Sequence, residues 1–416
     1  MLYALHESAY RSAAPLRLAA ELARDFWSSP FNPASASEFG RRLSASAEVT
    51  ANLTRRYLRP EWGIEAVSVK GTFVPVRMET VWRSPWVRLR RFTRDPAALA
   101  GAGLGAEAPA VLIVAPLSGH FATLLRGTVR AFLADHDVYV TDWSNARDVS
   151  ILDGRFDLND YIDHLIDVLG EIGHRAHVVA VCQPGPAALA AAALMSETDD
   201  PLRPASLTLM GSPIDARLSP TAPNRLAEER PFTWFQSRMI YTVPPPYAGA
   251  LRRVYPGFVQ LYSFITMNVE AHQSAHWRYF DNLVKGDGDS AEKHREFYDE
   301  YLSVLDLSEE FYLQTIDEVF QRYLLPKGEK VHRGRKVDPR ALTDLALMTV
   351  EGERDDISGV GQTQAAHGLC VNVPDKWREL YVQPGVGHYG VFNGRRFEQE
   401  IYPKVRDFIA VREAAL

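Results

Sequence analysis

The most informative stretch of the chain reads His177-Val178-Val179-Ala180-Val181 and continues as Cys182-Gln183-Pro184-Gly185. Its first five residues have the β-branched, apolar character of a buried strand. Residues 186–195 consist mostly of alanine and leucine and predict a helix. The sequence therefore predicts a sharp turn from strand to helix with a thiol, Cys182, at the turn.

Strands and helices alternate on both sides of this turn. Continuous apolar runs, the pattern of buried parallel strands, occur at 111–115, 138–140, 206–210, 345–350 and 380–382, and helical patterns occur at 124–133, 158–169 and 397–411. This alternation predicts a mostly parallel sheet with helices on both faces. In the α/β-hydrolase fold, the nucleophile sits where a strand turns into a helix, as Cys182 does here. The α/β-hydrolase fold is therefore the predicted fold class.

The patterns divide the chain into four segments. Residues 1–63 form a helical N-terminal region, 64–214 the first part of the hydrolase core, 215–340 a helical insertion, and 341–416 the second part of the core. Twelve of the forty-nine residues from 232 to 280 are aromatic, against 11% of the whole chain. Most of them must fill a helical core, and a subset could line a substrate cleft beneath a cap. Trp234 and Tyr241 are the candidates from this segment.

Composition and charge exclude several classes of function. The 416 residues carry a formal net charge of -6, so the chain lacks the basic character of a nucleic-acid-binding protein. A basic stretch at 327–340 is interpreted as a solvated loop. No apolar run reaches the roughly 18 residues of a membrane span, and the N-terminus lacks the pattern of a signal peptide. We expect a cytoplasmic protein, with its oligomeric state left open.

Only two cysteines occur, Cys182 and Cys370. Two thiols in so long a chain make neither a disulfide framework nor a zinc site built on cysteine, and they fit a reducing compartment. No metal-binding cluster and no cofactor fingerprint appears, so neither a metal nor a cofactor is expected.

Partners for Cys182 follow in the order that the fold demands: nucleophile, acid, histidine. Asp355 follows the predicted strand at 345–350, and His388 follows the last strand within Gly385-Val386-Gly387-His388-Tyr389-Gly390. Each residue alone could be structural: a buried thiol, a helix cap, a surface histidine. Together they predict a triad in which His388 takes the thiol proton, Cys182 attacks an ester carbonyl and Asp355 orients the imidazole.

The oxyanion of such a reaction needs two N–H donors. Because Pro184 and Pro186 suit a first helical turn, the Gln183 N–H is left free to point at the oxyanion. The second donor should come from the loop 116–120, where Ser118 is the candidate, although the sequence leaves open which amide of this loop donates. Tyr389, beside His388, joins the candidates for substrate binding.

Three motifs resemble the intracellular polyhydroxyalkanoate depolymerases. They are Val181-Cys182-Gln183-Pro184 at the elbow, Gly352-Glu353-Arg354-Asp355-Asp356 around the acid, and Gly385-Val386-Gly387-His388-Tyr389 around the histidine. The resemblance implies hydrolysis of stored poly(3-hydroxybutyrate) through a cysteine thioester, with the polymer and its granule surface as partners. It carries the nucleophile over to Cys182, the acid to Asp355 rather than its neighbour Asp356, and the base to His388.

Three other functions stay open. Polyhydroxyalkanoate synthases use the same Cys-Asp-His set to build the polymer, but they tend to carry Leu-Gly-Gly after the cysteine, where this chain has Gln183-Pro184-Gly185. A thioesterase acting on a small acyl-CoA is a further alternative. A non-catalytic granule-binding protein would have no need of all three triad residues.

Overall fold

The structure is a computed structural model that describes residues 2–105, 107–267 and 269–416. Its strands are β1 (Ala66–Val69), β2 (Thr72–Arg83), β3 (Val87–Arg94), β4 (Ala110–Val114), β5 (Asp137–Trp143), β6 (His177–Val181), β7 (Ser206–Met210), β8 (Tyr241–Thr242), β9 (Arg253–Tyr255), β10 (Leu307–Ser308), β11 (Val331–His332), β12 (Arg335–Lys336), β13 (Ala346–Gly352) and β14 (Arg378–Gln383).

Nine of these strands form one sheet in the order β1-β2-β3-β5-β4-β6-β7-β13-β14. From β5 to β14 all neighbours run parallel. At the other edge, β1, β2 and β3 are antiparallel to one another, and β3 is antiparallel to β5. This mostly parallel sheet, with helices packed around it, confirms the predicted α/β-hydrolase fold.

The α-helices are α1 (Leu2–Ser12), α2 (Ala14–Ser28), α3 (Glu38–Thr54), α4 (Pro96–Gly101), α5 (Arg126–Phe132), α6 (Leu158–Ile172), α7 (Gly185–Glu197), α8 (Ala222–Glu229), α9 (Phe232–Arg238), α10 (Gly257–Met267), α11 (Val269–Lys285), α12 (Gly288–Tyr301), α13 (Glu309–Thr315), α14 (Ala365–Leu369), α15 (Gly394–Arg396) and α16 (Tyr402–Glu413). Local sequence sets their ends. In α6, for example, Asp157 and Asp160 form a capping box and Gly173 ends the helix in the left-handed conformation.

The centre of the sheet is the core of the molecule. All five residues of β4, β6 and β7 are buried, which accounts for their continuous apolar sequences. Helix α7 is buried from its first residue to Met195. Small side chains are needed there: a Cβ on Gly185 would lie 2.4 Å from the Cβ of Ser212. The alanine-rich sequence after the elbow therefore reflects close packing as well as helix propensity.

The predicted insertion, 215–340, falls between β7 and β13. It contains helices α8 to α13, a π-helical turn at Ile316–Gln321, and a small sheet in the order β10-β9-β8. The basic stretch at its end was predicted to be a solvated loop, and this is wrong in part. It forms the hairpin of β11 and β12, and Lys330 is buried, with its Nζ 2.6 Å from Oε2 of Glu318.

Within the described ranges, no helix is both long enough and apolar enough to cross a membrane.

Candidate active site

Cys182 sits at the turn between β6 and α7, as predicted. Its φ of +67° places it in the left-handed region that residues other than glycine seldom adopt. The Cys182 N–H donates to the Met210 carbonyl over 2.7 Å, which fixes the turn to the neighbouring strand β7. Strain of this kind persists only where surrounding contacts hold it, and it is typical of a nucleophile elbow. The side chain is partly exposed, so the thiol is accessible.

Asp355 and His388 are brought together by the ends of β13 and β14. The imidazole Nδ1 donates to Oδ2 of Asp355 over 2.8 Å, and both residues are buried. The other carboxylate oxygen, Oδ1, accepts from the N–H groups of Ile357 at 2.9 Å and Ser358 at 2.8 Å. These two bonds fix the carboxylate so that it orients the ring. The adjacent Asp356 is exposed and holds no such position.

His388 and Cys182 line the same cavity, and the charge of Cys182 acts on the imidazole, so the three residues lie together. Burial alone would lower the pKa of His388. The negative charge of a Cys182 thiolate, the carboxylate of Asp355 and the hydrogen bonds to both outweigh burial and raise this pKa well above its usual value. The arrangement thus favours the imidazolium form of His388 beside the thiol at neutral pH.

Glu351 is a supporting residue that sequence reasoning missed. It is fully buried near the end of β13, and its carboxylate accepts from the N–H groups of Thr363 at 2.7 Å, Gly361 at 2.9 Å and Gln364 at 3.0 Å. These bonds anchor the far end of the loop that carries Asp355. A carboxylate in an otherwise apolar strand was the available signal, because a buried charge requires such partners.

The two candidate oxyanion donors line the same cavity as Cys182. Within the described chain, no hydrogen bond uses the N–H of Gln183 or the N–H of Ser118. By contrast, the Leu117 N–H donates to Oε1 of the Gln183 side chain over 3.2 Å. This bond ties the loop 116–120 to the elbow, and the Gln183 and Ser118 amides stay the candidate donors to an oxyanion.

A cavity of about 170 Å³ opens beside the thiol, lined mainly by apolar side chains. Of the three predicted substrate-binding aromatics, Tyr389 lines it and the other two do not. The aromatic lining consists of Tyr255, Phe311, Tyr312, Phe320, Tyr389 and Phe392. Four of these six come from the insertion, and the sequence pattern did not single them out.

Trp234 and Tyr241 are not among the residues that line the cavity. Trp234 packs edge-on against Phe235, with ring centroids 5.1 Å apart, and beneath the Arg230 guanidinium at 5.4 Å. The Tyr241 hydroxyl donates to the Arg238 carbonyl over 2.8 Å. Both side chains are therefore engaged by neighbours from their own part of the insertion.

In the part of the chain that the structure describes, no group of three or more His, Cys, Asp or Glu residues is arranged to hold a metal ion.

Comparison with known protein families gives a match to the second half of the chain. Residues 211–413 match the family model described as PHB de-polymerase C-terminus, where PHB is poly(3-hydroxybutyrate). This stretch is just under half of the chain. It includes Asp355 and His388, and it begins after Cys182.

A curated relative points to the same area of metabolism. Over 283 residues the chain is 23% identical to the poly(3-hydroxyalkanoate) polymerase subunit PhaC of Haloferax mediterranei. The match covers 66% of this chain and 52% of that protein, so the chain spans about half the length of this relative. The two matches relate this α/β-hydrolase-fold chain to proteins of polyhydroxyalkanoate metabolism.

Solved structures show more distant likenesses. One is the 2-hydroxy-6-oxo-6-phenylhexa-2,4-dienoate hydrolase of Rhodococcus sp. strain RHA1, with 13% identity, a TM-score of 0.43, and coverage of 81% of this chain and 99% of that one. Another is the Paleococcus ferrophilus monoacylglycerol lipase, with 13% identity, a TM-score of 0.42, and coverage of 78% and 99%. At TM-scores this low, neither likeness carries an inference about activity.

Proposed function

We propose that this protein is an intracellular poly(3-hydroxybutyrate) depolymerase that hydrolyses the stored polymer to 3-hydroxybutyrate monomers and oligomers. The observation that carries the proposal is the set formed by Cys182, His388 and Asp355 at the mouth of an apolar cavity. The match of residues 211–413 to a depolymerase family model supports the choice of polymer.

The geometry supports a two-step reaction. The Cys182 thiolate attacks the ester carbonyl, and the Gln183 and Ser118 amides stabilise the oxyanion that forms. The His388 imidazolium then gives its proton to the departing alkoxide, which leaves a thioester on Cys182. Neutral His388 next takes a proton from water, the resulting hydroxide attacks the thioester, and the acid product leaves as the thiol reforms.

The cavity chemistry favours a polyester over an acyl-CoA. Poly(3-hydroxybutyrate) is uncharged, and its methyl groups and ester carbonyls suit an apolar lining. An acyl-CoA would bring phosphate groups, which proteins usually bind with arginine or lysine. No arginine or lysine is among the described residues that line the cavity.

A synthase-like acyltransferase is the second candidate, because the curated relative is a polymerase subunit. It would load Cys182 with a hydroxyacyl group from a CoA thioester and pass it to a growing chain. The absence of arginine and lysine from the described cavity lining argues against a synthase. It argues equally against a thioesterase that acts on a small acyl-CoA. A scaffold without activity has no use for the strained elbow and the assembled triad.

Association with the granule surface is supported by exposed apolar side chains on α2. Leu18, Leu22 and Phe26 are 57%, 62% and 60% exposed, and their spacing of four residues places them on one face of the helix. Contiguous exposed apolar surface is typical of interaction sites. Replacing the three residues with serine should weaken co-sedimentation with granules while hydrolysis of a water-soluble hydroxybutyrate trimer continues.

The decisive assay measures 3-hydroxybutyrate released from amorphous granules by the unaltered protein, by Cys182→Ala and, as a matched control, by Cys370→Ala. The proposal expects release by the unaltered protein and by Cys370→Ala, and none by Cys182→Ala. No release by the unaltered protein, together with polymer formation from 3-hydroxybutanoyl-CoA, would instead identify a synthase.

A further inference from the structure

Gln260, on α10, stands out among the polar groups of the cavity. Its side chain lines the cavity and is only 8% exposed, and Oε1 accepts no hydrogen bond from any described residue. An unsatisfied buried acceptor is costly, and natural proteins retain few of them. Such an atom beside a catalytic thiol calls for a ligand that can donate to it.

Three other polar side chains of the lining already have partners. Gln183 Oε1 accepts from the Leu117 N–H, the Thr315 hydroxyl donates to the Phe311 carbonyl at 2.7 Å, and His120 Nε2 bonds the Tyr301 carbonyl at 3.0 Å. Among the described lining residues, Gln260 Oε1 is the fully buried side-chain oxygen that has no hydrogen-bond partner.

The Gln260 side-chain amide lies close to the place where the substrate carbonyl is expected to react. The Gln260 amide lies against Gly119, one residue after Ser118, so closely that a Cβ on Gly119 would be 2.5 Å from both Cδ and Oε1. Gly119 also has a φ of +110°, so glycine is required there on both counts. The acceptor therefore borders the loop that holds a candidate oxyanion donor.

The chemistry of the substrate selects what this acceptor can bind. Inside the polyester, each carbonyl and each 3-oxygen is esterified, so internal units offer hydrogen-bond acceptors and no donors. A donor exists only at the hydroxyl terminus, where the 3-hydroxyl is free. Resting on the proposed function, we infer that Gln260 is a specificity-determining residue that accepts a hydrogen bond from the free 3-hydroxyl of the acyl unit. The protein then cuts from the hydroxyl end and releases one unit at a time.

Two chromogenic esters test this inference without relying on the polymer. They are the 4-nitrophenyl esters of 3-hydroxybutanoate and 3-methoxybutanoate, which differ by the hydroxyl proton and one methyl group. Release of nitrophenolate reports acylation of Cys182. We expect the unaltered protein to prefer the hydroxy ester in kcat/KM by about tenfold or more, the range of one hydrogen bond to a buried group. In Gln260→Met, which keeps the side-chain length and removes the acceptor, the preference should shrink to about one.

Matched controls separate the possible failures. Gln399→Met makes the same change on the exposed surface and should keep the full preference. Equal rates for the two esters in the unaltered protein, or no turnover of either, would overturn the inference even if Gln260→Met failed to fold. An unchanged preference in a folded Gln260→Met would do so as well. Granule hydrolysis, measured in parallel, reports on the proposed function alone.

Discussion

The two cysteines of this chain carry the same side chain in opposite surroundings. Cys182 is partly exposed, lies on a strained turn and lines the same cavity as His388. Cys370, at the end of α14, is 0% exposed, and burial raises the pKa of its thiol to about 12 although the Arg378 charge opposes the shift. A thiol becomes a nucleophile through access, a base and a place for the resulting charge, and only the first cysteine has all three.

The strongest test of this contrast removes the thiol at each site. Cys182→Ala should lower ester hydrolysis by roughly 10⁴-fold or more, because no other group can form the covalent intermediate. Its thermal unfolding midpoint should stay near that of the unaltered protein. Cys370→Ala, measured in the same assay, should keep its turnover. Residual activity in Cys182→Ala above a few per cent would show that Cys182 is not the nucleophile.

The next test changes the surroundings of the His388 imidazole, which is present beside Cys182. Asp355→Asn keeps the shape of the side chain but removes the charge that faces Nδ1 of His388, so kcat should fall roughly 10²–10⁴-fold. Asp356→Asn is the matched control, since Asp356 is exposed. A large loss in the control with little loss in Asp355→Asn would transfer the acid role to the neighbour.

Alkylation by iodoacetamide compares the two thiols directly. At pH 7, Cys182 should react at least about a hundredfold faster than Cys370, because the thiolate is the reactive form and burial disfavours it at Cys370. Peptide mass spectrometry of the partly labelled protein gives both rates in one experiment. Comparable labelling in the folded state would mean that Cys370 is not sealed in the core.

The pH profile sharpens the account of Cys182. The raised pKa of His388 means that the free protein already holds the imidazolium at neutral pH, so acidification from pH 7 to 6 protonates little more of it. We expect kcat/KM for a small ester to stay flat over this range. An unpaired histidine base, with a pKa of about 6.5, would instead lose activity there. A tenfold fall per pH unit below pH 6.5 would contradict the raised pKa of His388.

The smallest effect concerns stability at Cys370. Replacing the thiol with a hydroxyl in Cys370→Ser buries a polar group without a prepared partner, and we expect a loss of about 1–3 kcal/mol in the free energy of unfolding. Denaturant titration with Cys370→Ala alongside separates this cost from that of the missing sulfur atom. If Cys370→Ser left the free energy of unfolding unchanged, water or a polar group would have to reach the site.

The core of the fold could be read from the sequence because its signals are local. The strand and helix on either side of Cys182 were predicted as 177–181 and 186–195 and are observed as β6 (His177–Val181) and α7 (Gly185–Glu197). Parallel strands buried on both faces leave a continuous apolar pattern that requires no knowledge of the neighbours. The same holds for the order of Cys182, Asp355 and His388 along the chain.

The cavity lining could not be read in this way. Trp234 and Tyr241 have the same aromatic character as Tyr255 and Tyr312, yet of these four only the latter two line the cavity. Which aromatic ring points into the cavity depends on contacts between segments that are distant in the chain. The number of aromatic residues in a segment indicates only how much apolar surface must be buried. Gln260 carries no local signal at all, because its significance rests on a missing partner and on contact with Gly119.

The central claim, that Cys182 carries the acyl group, is tested most directly by trapping that intermediate. The protein is mixed with a 3-hydroxybutanoate ester, quenched in acid during turnover, digested and examined by mass spectrometry. The account predicts one 3-hydroxybutanoyl group on the peptide that contains Cys182, with the Cys370 peptide unmodified. Turnover with an adduct on any other residue, or with no adduct under conditions where deacylation limits the rate, would contradict it.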